Sequence, residues 1–258
     1  MIAVCVSGII GENYKVIVDR ARSIFPYPIF FSTWNGRPLP ELENLYTFDE
    51  PNFEYHPMLD VAAPPCVIFG YLAKKHGKIR RLKREKQTLT SATQILGHSA
   101  LVDAIPEKYT TIIRLRYDTI VSSKVDFTKY LKMAENGTVI GFGNFKSDKS
   151  SWTLAEPSSD LKEYTHKSTP RSHYNIWDNM IFHPREKCAN AYKLFEQKKL
   201  IGMEWGWYQV LCDQWDNIDY INVNGGVMLE KLCTCLLYTS DAADARSSVD
   251  LGGRRIIK

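Results

Sequence analysis

Charged residues recur at every second position near the middle of Thr110–Val121, Thr-Thr-Ile-Ile-Arg-Leu-Arg-Tyr-Asp-Thr-Ile-Val. The stretch is dense in β-branched residues and follows Pro106, so it reads as a strand. At a period of two, Ile112, Arg114, Arg116 and Asp118 share one face, while Leu115, Tyr117 and Thr119 share the other. A buried strand rarely carries two Arg and an Asp on one side unless those groups meet each other or a ligand. Arg116 and Asp118 are therefore expected at the carboxyl end of a central strand, the edge where open α/β sheets bind ligands. The competing expectation is an Arg–Asp ion pair that braces the sheet.

Other segments carry residues able to do chemistry. Ser7-Gly8 opens the first turn, Ser-Gly-Ile-Ile-Gly-Glu-Asn. That turn is either plain or one whose backbone N–H groups approach a phosphate at a helix N-terminus. Asp178, within Trp177-Asp178-Asn179-Met180, suits a turn or a helix cap as well as a hydroxyl contact. Glu204 opens Glu-Trp-Gly-Trp-Tyr-Gln and suits either a general base or a first-turn helix acid.

The elements that must position these residues alternate. Ile2–Val6 is an apolar strand, Asn13–Phe25 has helical periodicity, and Ile29–Trp34 is a second strand. Strand, helix, strand in this order is a βαβ unit and starts a parallel sheet. Leu45–Asp49 reads as a third strand, Pro51–Pro65 as loop, and Cys66–His76 and Thr88–Ala104 as helices. After the central strand come a helix over Val125–Glu135, a strand over Thr138–Phe145 and a long polar stretch, Lys146–Asn175, expected as a loop or lid. Arg185–Lys199 reads as one helix with Pro184 at its start, Glu204–Cys212 as a short helix, and Asp219–Leu229 as the last strand. The expected fold class is α/β, a mostly parallel mixed sheet flanked by helices.

Bulk properties exclude some classes. No stretch approaches 18 consecutive apolar residues, and the N-terminus lacks the basic and apolar regions of a signal peptide. The six cysteines include no pair with a two-residue gap, so reduced thiols and a cytoplasmic protein are expected. Cys235–Lys258 departs abruptly in composition and resembles translated sequencing adaptor: a transposon-type adaptor over Cys235–Asp244 and a flow-cell primer over Ser248–Lys258. The expectation is one domain over 1–234, truncated at its C-terminus, and a non-native tail over 235–258. The formal net charge of +4 falls to +3 without the tail, a balance that does not argue for nucleic acid. Lys74–Lys86 concentrates eight Lys or Arg, either a solvated face or a peripheral contact with anionic lipid or a polyanionic glycan.

Taken together, the chain resembles GT-A-type glycosyltransferases, in particular the WavE-like and capsular-polysaccharide transferases. The residues that carry the resemblance are Ser-Gly after the first strand (6–8), apolar-Phe-x-x-Thr-Trp (29–34), Ile-x-x-Arg-x-Asp (113–118), an Asp-x-x-apolar-Phe segment before a helix (178–182), and a helix-opening Glu at 204. The resemblance implies a GT-A-like, Rossmann-like domain that transfers a sugar from a nucleotide-sugar donor to a glycan or surface-polysaccharide acceptor. It implies donor contacts from Ser7, Gly8, Arg114, Arg116 and Asp118, with Asp118 facing the donor and holding Mg²⁺ or Mn²⁺. It also implies catalytic roles for Glu204 and Asp178, and acceptor platforms from Trp205 and Trp207. Arg116 stands where the stricter Asp-x-Asp form has its first Asp, which leaves a single carboxylate for a metal. The alternative is a non-catalytic carbohydrate- or nucleotide-binding protein on the same fold.

Overall fold

The computed structural model describes residues 1–49 (except 9, 11–13, 37, 38 and 40), 93–143, 156–165, 175–196, 204–213, 215 and 219–229. The expected loop over Pro51–Pro65, the helix over Cys66–His76, the basic run Lys74–Lys86 and the tail 235–258 lie outside the described residues.

The chain opens as the expected βαβ unit: β1 (Ile2–Ser7), a helix over Tyr14–Ile24, and β2 (Ile29–Trp34), paired in parallel with β1. β3 (Leu45–Phe48) adds in parallel to β2. A helix over 93–104 leads to β4 (Thr111–Leu115), which lies parallel to β1 on its other side. β5 (Thr119–Val121), a helix over Thr128–Glu135, β6 (Val139–Gly143), β7 (Lys162–Thr165) and β8 (Met180–Pro184) follow. Short helices over Ala191–Glu196 and Glu204–Tyr208 precede β9 (Tyr220–Asn224) and β10 (Val227–Leu229).

Eight strands form one sheet in the order β3-β2-β1-β4-β8-β6-β9-β7. Its pairings are mostly parallel, with β8 antiparallel between β4 and β6 and β7 antiparallel at the edge. Both faces are covered. Ala3, Cys5 and Ile112 pack with Leu96, Leu101 and Val102 of the 93–104 helix, and with Trp207. Val4, Val6 and Ile113 pack on the opposite face with Val18, Ala21, Tyr130 and Leu131. Double coverage explains why the central strands are apolar runs with little alternation.

Four sequence expectations are corrected. The strand expected over Thr110–Val121 stops at Leu115, where Thr119 N–H donates to Arg116 O (3.1 Å) and closes a turn. β5 then pairs with β10 in a separate two-stranded sheet. The strand expected over Asp219–Leu229 breaks at Gly225 and Gly226, whose positive φ values (105° and 74°) turn the chain. Arg185–Lys199 is a 3₁₀ turn over Arg185–Cys188 and then the Ala191–Glu196 helix, separated where Asn190 adopts φ 66°. The segment over 178–182 runs into β8, which precedes that 3₁₀ turn and helix. The polar stretch Lys146–Asn175 also contains the edge strand β7.

Gly141 sets the position of the segment that leads to Asp178. A Cβ built there lies 2.6 Å from Asn222 Oδ1 and 2.7 Å from both Trp177 N and O. Asn222 holds the same segment, accepting from Trp177 N–H (2.9 Å) and donating to Asn175 O (2.9 Å). Gly141→Ala is expected to cost about 3 kcal/mol, at the upper end for overpacking, because backbone must move. Equilibrium denaturation checks this, and an unchanged midpoint would remove Gly141 from that role.

Candidate functional site

From β1 the chain runs outward to β2 and β3, then returns to place β4 on the other side of β1. The carboxyl ends of β1 and β4 therefore flank a topological switch point, where open α/β sheets bind ligands. Val6 pairs with Leu115, so Ser7-Gly8 and Arg116-Tyr117-Asp118 leave the sheet side by side. Ser7 is buried, and its Oγ has no hydrogen-bond partner among the described residues. Gly8 has φ 128°, and a Cβ built there meets nothing within 4 Å, so a side chain would be opposed by backbone strain alone.

The turn after β4 is pinned from both sides. Tyr117 is buried, with its hydroxyl donating to Ser32 O (3.1 Å) and its ring stacked with Phe31. Thr119 Oγ1 donates to Asn179 O (2.6 Å), tying the turn to the segment before β8. Arg116 and Asp118 are left facing each other. Arg116 Nε and Nη2 donate to Asp118 Oδ1 and Oδ2, both at 2.8 Å, and Nη1 donates to Asp178 Oδ2 (3.2 Å). Burial by itself would lower the Arg116 pKa, but the charges of Asp118 and Asp178 outweigh it and hold the group firmly protonated.

Arg114 lies deeper. It is fully buried, donates to Asp178 O and to Gln94 Oε1 (3.0 Å), and stacks its guanidinium 4.9 Å from the Trp207 ring centre. Burial pulls its pKa down to about 10, against the opposing pull of Asp178. Arg114 thus braces the segment that carries Asp178 and offers no exposed face to a ligand. Arg116 keeps a side-chain exposure of 20% and Asp118 of 15%.

The structure brings Arg114, Arg116, Asp118 and Asp178 together, beside Ser7 and Gly8. Glu204 and Trp205 lie on the Glu204–Tyr208 helix, with side chains outside the described residues. Trp207 on that helix is 0% exposed, packed against Arg114 and edge-on to His98. A ring with no free face cannot receive a sugar, so its expected place as an acceptor platform is corrected to a core position. Gln94, Thr119 and Asn179 complete the cluster and have no signature in the sequence.

The donor set does not fit a resident Mg²⁺ or Mn²⁺ as it stands. Both Asp118 oxygens and one Asp178 oxygen already accept from Arg116, and a cation would have to displace that guanidinium. The two arginines and two aspartates balance in charge.

No family model matches the chain, and no curated protein matches it. Solved structures do show likeness. One is 4-diphosphocytidyl-2C-methyl-D-erythritol synthase from Anaerococcus prevotii, at 10% identity and TM-score 0.46 over 95% of this chain and 96% of that one. Another is a glycosyltransferase involved in glycosylation of the major capsid of PBCV-1, at 11% identity and TM-score 0.31 over 76% and 66%. A third is a glucose-1-phosphate thymidylyltransferase from Bacillus anthracis, at 10% identity and TM-score 0.44 over 100% and 98%. All three TM-scores are below 0.5. Among the described residues no helix is long and apolar enough to cross a membrane.

Proposed function

We propose that this chain is a transferase that moves a sugar from a nucleotide-sugar donor to a glycan or surface-polysaccharide acceptor. The observation that carries the reading is the cluster of Arg116, Asp118 and Asp178 at the switch point between β1 and β4, next to Ser7-Gly8. Arg116 is a partly exposed cation there, and its planar fork matches phosphate oxygens two at a time. The donor pyrophosphate takes the Arg116 edge now held by Asp178 Oδ2, which frees Asp178 to accept from a sugar hydroxyl. Asp118 keeps Arg116 oriented, and Ser7 Oγ and the Gly8 backbone line the same edge. Arg114 adds its charge from behind without touching the donor. Glu204 deprotonates the acceptor hydroxyl as general base, and Trp205 supplies the apolar platform. No step is assigned to a metal.

A titration by calorimetry tests this. UDP-, GDP- and CMP-sugars are added to the full chain with Mn²⁺ or with EDTA. One donor class is expected to bind, binding is expected to persist in EDTA, and Arg116→Met is expected to weaken it at least 10-fold. No binding of any donor sinks the proposal, and undiminished binding by Arg116→Met sinks the assigned role. A second reading, a non-catalytic nucleotide or carbohydrate binder, is favoured by the engagement of both Asp118 oxygens. Its signature is donor binding with neither hydrolysis nor transfer.

A further inference from the structure

Beneath the 93–104 helix, near the buried Arg114 end of the charged cluster, three ligand-type side chains meet in the core. His98 comes from that helix, His183 from β8 and Cys188 from the end of the 3₁₀ turn that follows. We propose that His98, His183 and Cys188 form a closed site for a thiophilic cation, Zn²⁺ or Cu⁺, which fastens the 93–104 helix to the end of β8.

The first support is geometric. A ring nitrogen of each histidine and Cys188 Sγ all lie within 4.8 Å of one another, and all three residues are buried. The two Nε2 atoms face each other at 3.0 Å. Two nitrogens bound to one zinc at about 2.0–2.1 Å with tetrahedral angles are roughly 3.3 Å apart, so a small adjustment admits the ion.

The second support is the outer hydrogen bond. His183 Nδ1 lies 2.8 Å from Pro184 O, which only an N–H can satisfy. That fixes the tautomer with a lone pair on Nε2, the arrangement by which an outer carbonyl orients a metal-binding imidazole.

The donor set selects the ion. It contains nitrogen and sulfur and no carboxylate, which suits soft and borderline cations and disfavours Mg²⁺, Mn²⁺ and Ca²⁺. With Cys188 as thiolate, Cu⁺ gives a neutral site, and Zn²⁺ leaves one positive charge near Arg114. Three donors complete a trigonal Cu⁺ site and leave a tetrahedral Zn²⁺ one position without a protein ligand among the described residues; full burial keeps substrate from that position, so the site is structural. The helix it fastens carries Gln94, the partner of Arg114, so the ion would stiffen the wall behind the charged cluster.

Metal-stripped protein, dialysed against Zn²⁺, Cu⁺ (under reductant) or Mn²⁺ and then desalted, is assayed for bound metal and thermal midpoint. One equivalent of Zn²⁺ or Cu⁺ is expected, with a raised midpoint, and whichever ion binds tighter is the assignment. Cys188→Ser is expected to weaken binding at least 10-fold, whereas Cys5→Ala, a thiol outside the cluster, should not. Should Cys188→Ser fail to fold, Co²⁺ substitution of the wild type decides, because a thiolate-to-cobalt charge-transfer band requires the sulfur ligand. Absence of bound Zn²⁺ and Cu⁺, equal binding by folded Cys188→Ser, or a Co²⁺ spectrum without that band would overturn the proposal.

Discussion

Arg114→Met is expected to cost about 3 kcal/mol of folding stability, within the range for removing one partner of a buried ionic set. Arg116→Met is expected to cost clearly less. The two residues lie two apart and both touch Asp178, but their surroundings differ. Arg114 is fully buried, and its loss strands Asp178 O in the interior and takes the partner from the half-buried Gln94 Oε1. Met fills much of the volume and keeps contact with Trp207, so the loss reports polar groups left unsatisfied more than a cavity. Arg116 leaves behind carboxylates that are 15% and 11% exposed, and water reaches them in its absence. The order for donor binding is expected to be the reverse, since only Arg116 has an edge to offer. Urea titration of both variants beside a donor titration checks the crossing pattern. If Arg114→Met is the milder change for stability, its role as the brace is wrong.

The parts of the fold readable in the sequence are those where one local rule decides. β1, the Tyr14–Ile24 helix and β2 follow one another with short connections, and their periodicities do not overlap. The alternation through Arg114, Arg116 and Asp118 correctly marks residues that meet. The reason is only partly right, because a turn, not a continuing strand, brings Arg116 against Asp118. β7 has three of its four residues exposed at the sheet edge, so it carries no apolar pattern that separates it from loop. Trp-Gly-Trp reads alike at a sugar platform and in a core, and only the burial of Trp207 separates the two. His98 and His183 are 85 residues apart and belong to no local motif, so only the packing of helix on sheet brings them together.

Among the described residues, those two histidines give the largest pH effect expected, in metal-free protein held in chelator. Burial first, then the charges of Arg114 and Lys187, hold His183 down at about 4, with its hydrogen bond to Pro184 O opposing. Burial, His183 and Arg114 push His98 well below its ordinary range. The unfolded chain takes up these protons near pH 6.5. Above that value both histidines are neutral in both states and stability is complete. Between 6.5 and about 4 the unfolded state binds protons that the folded state refuses, so stability falls as pH falls. For His183 alone the loss reaches roughly 3 kcal/mol at the lower end, at about 1.4 kcal/mol per pH unit. His98 adds to the slope in the same window. The groups packed around the pair give no relief, because Arg114 and Lys187 are cations and Cys188, its thiol pushed up to about 12 by burial, stays neutral. Urea unfolding from pH 7.5 to 4.5 should show this slope, and His183→Gln should remove a large part of it if the variant folds. Of the six histidines, the assigned imidazole NMR signals of His98 and His183 in the folded protein should not move through pH 6.5, and a titration of either one there would show that the pair is open to water and not buried as described.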